Sequence, residues 1–348
     1  MTEDSGSVVI ATTGVTQITG ENTMTTSLPR GIEFYFQCAV LIIGIVGTGC
    51  NGLILYALVA SKQHKKHALI VHQNALDLLT CLFIVIIYST KLCNIYLTGS
   101  LGYFLCTLVL SESLAWWGTI ASVINLASIT VERYLKVVYP VRSKKWLGKN
   151  WTIYLAMGTA WIVSFTANVA IIFPTSAVMD GLCYPYMIWK NGALRIVFFI
   201  WNFLSFYVLI ISIFVFCYWR ILVVIRRQAR VMADHNAAGS SAAQTGLNHI
   251  QTNVIKTMVI VSTLYTVSWL PAYVYYLLIS LSPHPIHLDF TYYGSAFLAF
   301  SYMCTNPFIY ATKFDPVKRV LVRMIPWKKT SQQATVNVIN TGGTNMNL

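Results

Sequence analysis

Apolar residues in this chain arrive in long unbroken runs rather than in the alternating or three-to-four spacing of a half-buried element. Seven runs reach the roughly 20 residues that a helix needs to cross the hydrocarbon core of a bilayer. They are Phe34 to Ala60, Ala68 to Leu92, Leu101 to Val131, Trp151 to Phe173, Ile196 to Trp219, Thr257 to Leu281 and Phe290 to Thr312. A strand in lipid leaves its backbone groups unpaired, and the alternation of a membrane barrel is absent, so each run is predicted to be a helix. The expected fold is an all-α integral membrane bundle of seven transmembrane helices. After Pro316 the basic segment from Val317 to Met324 predicts a short amphipathic helix lying on the membrane surface.

Polar stretches between the runs set the organisation. Residues 1–33 form a Ser/Thr-rich leader, 34–312 the seven-span domain, 313–326 the amphipathic helix and 327–348 a flexible tail. The leader lacks the basic-then-apolar pattern of a cleaved signal, so the first span is expected to direct insertion itself. Ala233 to His249 is poor in bulky apolar residues and reads as a flexible linker.

Lysine and arginine fall on one side of the bundle. Lys62, Lys65 and Lys66 follow span one, and Arg142, Lys144, Lys145 and Lys149 follow span three. Arg226, Arg227 and Arg230 follow span five, and Lys313, Lys318, Arg319 and Arg323 follow span seven. The other side carries Arg30, Lys91, Lys190 and Arg195, so the positive-inside rule places the N-terminus outside the plasma membrane and the C-terminus in the cytoplasm.

Composition agrees: the 348 residues are 56% hydrophobic and only 10% charged, which excludes a soluble protein of this size. The net charge of +13 lies in loops between apolar runs rather than in a stripe, so the basic residues speak for the lipid bilayer and against nucleic acid. Eight cysteines without CxxC pairs argue against a zinc module or a dense disulfide scaffold.

Polar residues and prolines recur at particular depths. Glu132-Arg133-Tyr134 closes span three, Gly49-Cys50-Asn51 lies in span one and Asn74 to Asp77 in span two. Trp161 lies in span four, Tyr218 in span five, Trp269-Leu270-Pro271 in span six and Asn306-Pro307-Phe308-Ile309-Tyr310 in span seven. Over about residues 34 to 325 this set resembles the rhodopsin-like (class A) G protein-coupled receptors. The resemblance implies a signalling receptor, not an enzyme. Its partners would be a heterotrimeric G protein, receptor kinases and arrestin, with an extracellular ligand. Ser240, Ser241, Thr330, Ser331, Thr335, Thr341 and Thr344 are the candidate kinase targets.

Asp77 stands at the centre of a span, where an uncompensated charge costs roughly 2.5–3.5 kcal/mol on insertion scales. The resemblance implies a sodium ion there in inactive states, with Ser122, Asn51 and Asn306 as neighbours. A protonated Asp77 in a structural hydrogen-bond network is the alternative. No other cofactor or metal is expected, and no catalytic residues. Arg133, with Glu132 as local partner, would meet the G protein when the bundle opens, with Tyr134, Tyr218, Asn306, Pro307 and Tyr310 at the same switch. A membrane-edge arginine can also merely reach for water. Pro271 removes a backbone hydrogen bond and kinks span six, with Trp269 as the lever. Cys106 and Cys183 resemble the family's bridge, a loop closure of roughly 4–5 kcal/mol in the chain-entropy model.

The chain departs from the family pattern in four places. Cys106 stands about two residues too far from Arg133, which implies a bulge or an altered helix start, and Cys93 is an alternative partner for Cys183. Span five has Ile210 where a proline is usual, span six has Tyr265 where Phe is commoner, and Gln251 replaces an acid that restrains the arginine. That last change predicts basal activity.

Ala115 stands where amine receptors carry an aspartate, and span seven, with Phe300 near the relevant place, has no lysine for retinal. Glu112 is the acid in the outer half of the bundle, beside Trp116 and Trp117. With Ala115, Trp189, Tyr275, Tyr276 and Tyr292 it outlines an aromatic-rich pocket for a small peptide. Glu112 facing water and tyrosines anchoring at the membrane edge are the plainer readings. The alternatives are a small-molecule-activated or constitutively active receptor, a ligandless scaffold, or a transporter. A metal site at His284 and His287 rests on only two ligands.

Overall fold

The structure, a computed structural model, describes residues 31–62, 67–147, 150–186, 188–235, 242–281, 290–313 and 315–324. It is an all-α seven-transmembrane helix bundle. Spans one and two run Gly31–Ala60 and Ala68–Leu92, span four Asn150–Thr175 and span six Ala242–Leu281. Among the described residues, six helices are each long and apolar enough to cross a membrane. The seventh span is divided into Phe290–Ser301, a 3-10 turn at Tyr302–Cys304, and Thr305–Lys313. Pro307 accounts for the division, since it has no N–H to return to the carbonyl one turn earlier.

Two other spans carry irregularities that hydropathy does not disclose. Span three runs Gly99–Phe104, continues as a π-helical segment Leu105–Leu110, breaks, and resumes as Ser113–Val138. At the break Glu112 is left-handed, with φ of 62°. The expected bulge is therefore built from a widened turn plus one left-handed residue. Span five runs Gly192–Asn202, a π-helical segment Phe203–Val208 and Leu209–His235. The π-helical segment stands just before Ile210, the place where a proline is expected from the resemblance.

The stretch expected to be a linker is helical at both ends, because span five runs to His235 and span six starts at Ala242. Alanine favours helix whether or not anything covers it, so a lack of bulky apolar residues argued against burial and not against helix. Pro140–Leu147 forms a short helix after span three, with proline in the first turn where its missing N–H costs nothing. The terminal amphipathic helix is Asp315–Met324, with Val317 buried and Lys318, Arg319 and Arg323 turned outward or to the edge. Arg30, Lys65, Lys66, Lys149, His284, His287, Ser240, Ser241 and residues 325–348 lie outside the described residues, as does the Gln251 side chain.

Apolar side chains such as Ile42, Tyr56, Val215 and Leu278 cover the outside of the bundle, while Asn51, Gln73, Asn74, Asp77, Asn125 and Asn306 are buried inside it. Lipid is as apolar as leucine, so helices are held by close packing and polar contacts rather than by hydrophobic exclusion. Gly118 shows the close packing: a Cβ there would stand 2.3 Å from the Thr80 hydroxyl oxygen. That hydroxyl is already committed to the Leu76 carbonyl at 2.8 Å.

Gly118→Ala is expected to lower the thermal unfolding midpoint of the detergent-solubilised protein, at a cost of about 1–3 kcal/mol for overpacking. Gly158→Ala, where a Cβ would meet nothing within 4 Å, is the control and should leave the midpoint unchanged or raised.

Candidate functional site

Three groups of residues lie along the bundle axis. At one end the loop after span four folds into a hairpin, Ala177–Met179 paired with Leu182–Tyr184. Its two-residue turn, Asp180-Gly181, has both φ angles positive, as a tight hairpin requires. The pairing sets Cys183 opposite Val178, and Cys183 is bonded to Cys106 with the Cα atoms 5.2 Å apart. Cys93 is exposed and free.

Beneath the hairpin, Glu112 is tied inward. Its Oε1 accepts from the Tyr88 hydroxyl at 2.8 Å and from Lys91, both on span two. The left-handed turn at Glu112 aims the carboxylate at these partners, so it is already paired inside the protein. Tyr88 and Lys91 were not among the expected pocket residues, because their meeting with Glu112 depends on a backbone turn that no sequence pattern announces.

Aromatic rings descend from the same end in contact with one another. Trp189 packs on Phe199 at 6.5 Å, Phe199 stacks on Tyr276 at 6.2 Å, Tyr276 meets Trp116 at 5.8 Å and Trp116 meets Trp269 at 5.5 Å. Tyr275 joins Tyr276 and Tyr292 to this set at 6.2 and 5.5 Å. Ala115 is buried with Tyr88, Ala296 and Phe300. Trp116, Trp189, Tyr275, Tyr276 and Tyr292 are thus linked ring to ring through Phe199, which no motif announces. Glu112 and Ala115 lie beside Tyr88 rather than in this series of ring contacts.

Trp269 is buried beside Tyr265, whose ring also meets Tyr302 at 5.7 Å. The Tyr265 hydroxyl donates to the Phe206 carbonyl at 2.7 Å, and the Tyr207 hydroxyl to the Thr266 carbonyl at 2.9 Å. Both acceptor and donor on span five belong to its π-helical segment. A phenylalanine at 265 could not make the first of these bonds, so Tyr265 interlocks span six with the π-helical segment of span five.

At mid-depth Asp77 is fully buried and faces three donors. Its Oδ1 accepts from Ser122 Oγ at 2.6 Å and Gln73 Nε2 at 3.2 Å, and its Oδ2 from Asn306 Nδ2 at 2.7 Å. Asn51, expected beside it, donates instead to the carbonyls of Gly47 at 2.9 Å and Met303 at 3.2 Å. Gln73 takes that place, and its spacing of one helical turn from Asp77 was the available signal. A sodium ion needs oxygen lone pairs around it; Ser122 and Asn306 carry such oxygens, but the Gln73 amide turns its N–H2 toward both Asp77 Oδ1 and Ser122. With Gln73 oriented in this way the site does not fit the ion.

At the basic end, Arg133 Nη2 lies 3.1 Å from His67 Nδ1 and 3.5 Å from Glu132 Oε2. Glu132 is shared with Lys136 at 2.5 Å. The Tyr218 hydroxyl bridges Thr130 and Ser262, each at 3.0 Å, joining spans three, five and six. Tyr134 packs its ring on Phe216, and Tyr310 and Pro307 are buried. His67 was not foreseen, because the loop that delivers it carries no motif.

Residues 50–310 match the model of the 7 transmembrane receptor (rhodopsin family). The chain is 27% identical to C-C chemokine receptor type 8 of Mus musculus over 85% of this chain and 80% of that protein. It is 24% identical to galanin receptor type 1 of Rattus norvegicus over 81% of this chain and 79% of that protein. Its backbone resembles squid rhodopsin with a TM-score of 0.70 at 19% identity, covering 87% of this chain and 88% of that one, a likeness of fold.

Glu112→Ala strands Lys91 and the Tyr88 hydroxyl and is expected to lower the unfolding midpoint, while Lys91→Ala in the same chain should recover part of the loss. A double-mutant cycle read from thermal unfolding should give a coupling of roughly 1–3 kcal/mol; independent, additive effects would contradict the pairing.

Proposed function

We propose that this chain, which belongs to the rhodopsin family of seven-transmembrane receptors, is a plasma-membrane receptor activated by a small extracellular peptide. Family membership makes it a multi-pass membrane protein and a signalling receptor rather than an enzyme, and implies coupling to G proteins. In our reading the hairpin end faces outward and the basic end faces the cytoplasm, in keeping with the distribution of lysine and arginine.

The observation that carries the switch is the setting of Arg133. Among the described residues its polar partners are Glu132 on its own helix and His67 at the start of span two. Tyr218 to Ser262 is a neutral bridge that, among the described residues, joins span six to this corner. A neutral hydrogen bond contributes only about 1 kcal/mol, so in this reading the cytoplasmic half of span six swings out about Pro271 chiefly against the packing of Ile255, Met258 and Val261. Arg133 would then turn from Glu132 toward the G protein. Arrestin and receptor kinases would act on the cytoplasmic segments.

The peptide reading rests on the ring contacts from Trp189 to Trp269, which supply a large apolar surface ending on the lever in span six. Two relatives are named for chemokine and galanin, and this accords with a peptide ligand. Because Glu112 is already paired with Lys91, a ligand would be held chiefly through aromatic contact and would gain the carboxylate only by displacing Lys91. A second reading, a receptor active without ligand, accords with Glu132 and His67 being the polar partners of Arg133 among the described residues.

Ligand-free signalling measured with a panel of G protein sensors should exceed that of mock-transfected cells and fall to the mock level in Arg133→Ala at matched surface expression. A wild-type signal no higher than mock would count against the second reading.

A further inference from the structure

The amides around Asp77 are oriented by neighbours whose chemistry leaves no choice. The Leu69 carbonyl can only accept, so the atom of Asn125 that meets it at 3.0 Å is its nitrogen. The Trp161 indole can only donate, so His72 Nε2, 2.9 Å away, is unprotonated. A neutral His72 then carries its proton on Nδ1 and gives it to Asn125 Oδ1 at 2.9 Å. Both ends of Asn125 are thus assigned independently, and they agree.

Asn125 Nδ2 also donates to Gln73 Oε1 at 2.8 Å. The Gln73 amide must therefore turn its N–H2 the other way, toward Asp77 Oδ1 and the Ser122 oxygen. Ser122 passes its own proton to Asp77 Oδ1 at 2.6 Å. Gln73 is completely buried, so water cannot supply a substitute partner if the amide turns away. The carbonyl oxygens of Asn51 and Asn306 accept no hydrogen bond, but the first is on an amide not bonded to Asp77 and the second is on the amide that donates to it.

We infer that the Gln73 side-chain amide is a built-in replacement for a cation beside Asp77, so that this protein binds no sodium ion there and its stability does not respond specifically to sodium. The positive end of a buried amide dipole faces the carboxylate where an ion would stand. Admitting the ion requires turning the Gln73 amide, which breaks its bond to Asn125 and disturbs the links from Asn125 to His72 and from His72 to Trp161. The cost of admitting sodium is spread over spans two, three and four. Ligand and transducer would then have to drive any rearrangement at Asp77 without release of an ion.

The test uses the purified full chain and reads thermal unfolding in sodium chloride against potassium chloride at equal ionic strength, which is independent of any ligand or signalling assay. The wild type is expected to unfold at the same temperature in both salts. Gln73→Ala is expected to gain a stabilisation specific to sodium that saturates with concentration and is absent from Gln73→Ala/Asp77→Asn. If Gln73→Ala does not fold, Gln73→Ser, which also withdraws the amide but keeps a polar group, takes its place with the same expectation. A sodium-specific rise in the wild type that Asp77→Asn removes would overturn the inference, as would a folded Gln73 variant that remains as indifferent to sodium as the wild type.

Discussion

A carboxylate at the centre of a lipid-embedded bundle must be answered by donors from other helices, and the answer to Asp77 organises this molecule. Ser122 supplies one proton from span three, Asn306 one from span seven and Gln73 one from a turn away on span two. In lipid these contacts do what apolar burial does in water, because helices that leave them leave a charge unpaired. Bringing the three helices close enough requires small residues at the crossings. A Cβ on Gly118 of span three would stand 2.3 Å from the Thr80 hydroxyl oxygen of span two.

Around that centre the two ends of the bundle are built differently. At the hairpin end the extra residues of span three are taken up by a π-helical segment and a left-handed Glu112, which directs the carboxylate to Lys91 and Tyr88 and locks spans two and three together. Rings in continuous contact then lead to Trp269, and through Tyr265 to Tyr302, four residues before the Asn306 that bonds Asp77. At the basic end Glu132 is shared between Arg133 and Lys136, and Arg133 reaches His67 at the start of span two.

Much of this was legible in the residues. Hydropathy placed all seven spans, with span two matching at both ends, because a bilayer of given thickness imposes a length on any apolar helix. The spacing of Cys106 from Arg133 announced a disturbance in span three, since the disulfide and the arginine sit at opposite ends of one rod. What it could not disclose was the form, because the choice between a π turn and a left-handed residue is settled by local packing. Asn51 was placed beside Asp77 by analogy and Gln73 was passed over, although Gln73 and Asp77 lie on one face of one helix. Lys91, His67 and Phe199 depend on backbone turns or on the rotation of neighbouring helices, for which single-sequence patterns hold no signal.

On this reading span six pivots about Pro271 while the Asp77 cluster keeps spans two, three and seven together. Fluorophores at Lys145 and Lys256, both exposed, would report the separation of the short helix after span three from the basic end of span six. In single-molecule energy transfer on the reconstituted protein, adding a nucleotide-free heterotrimeric G protein should shift the population to a longer distance, and Arg133→Ala should abolish the shift. A distance distribution that the G protein leaves unchanged, with the wild-type complex demonstrably formed, would contradict the account.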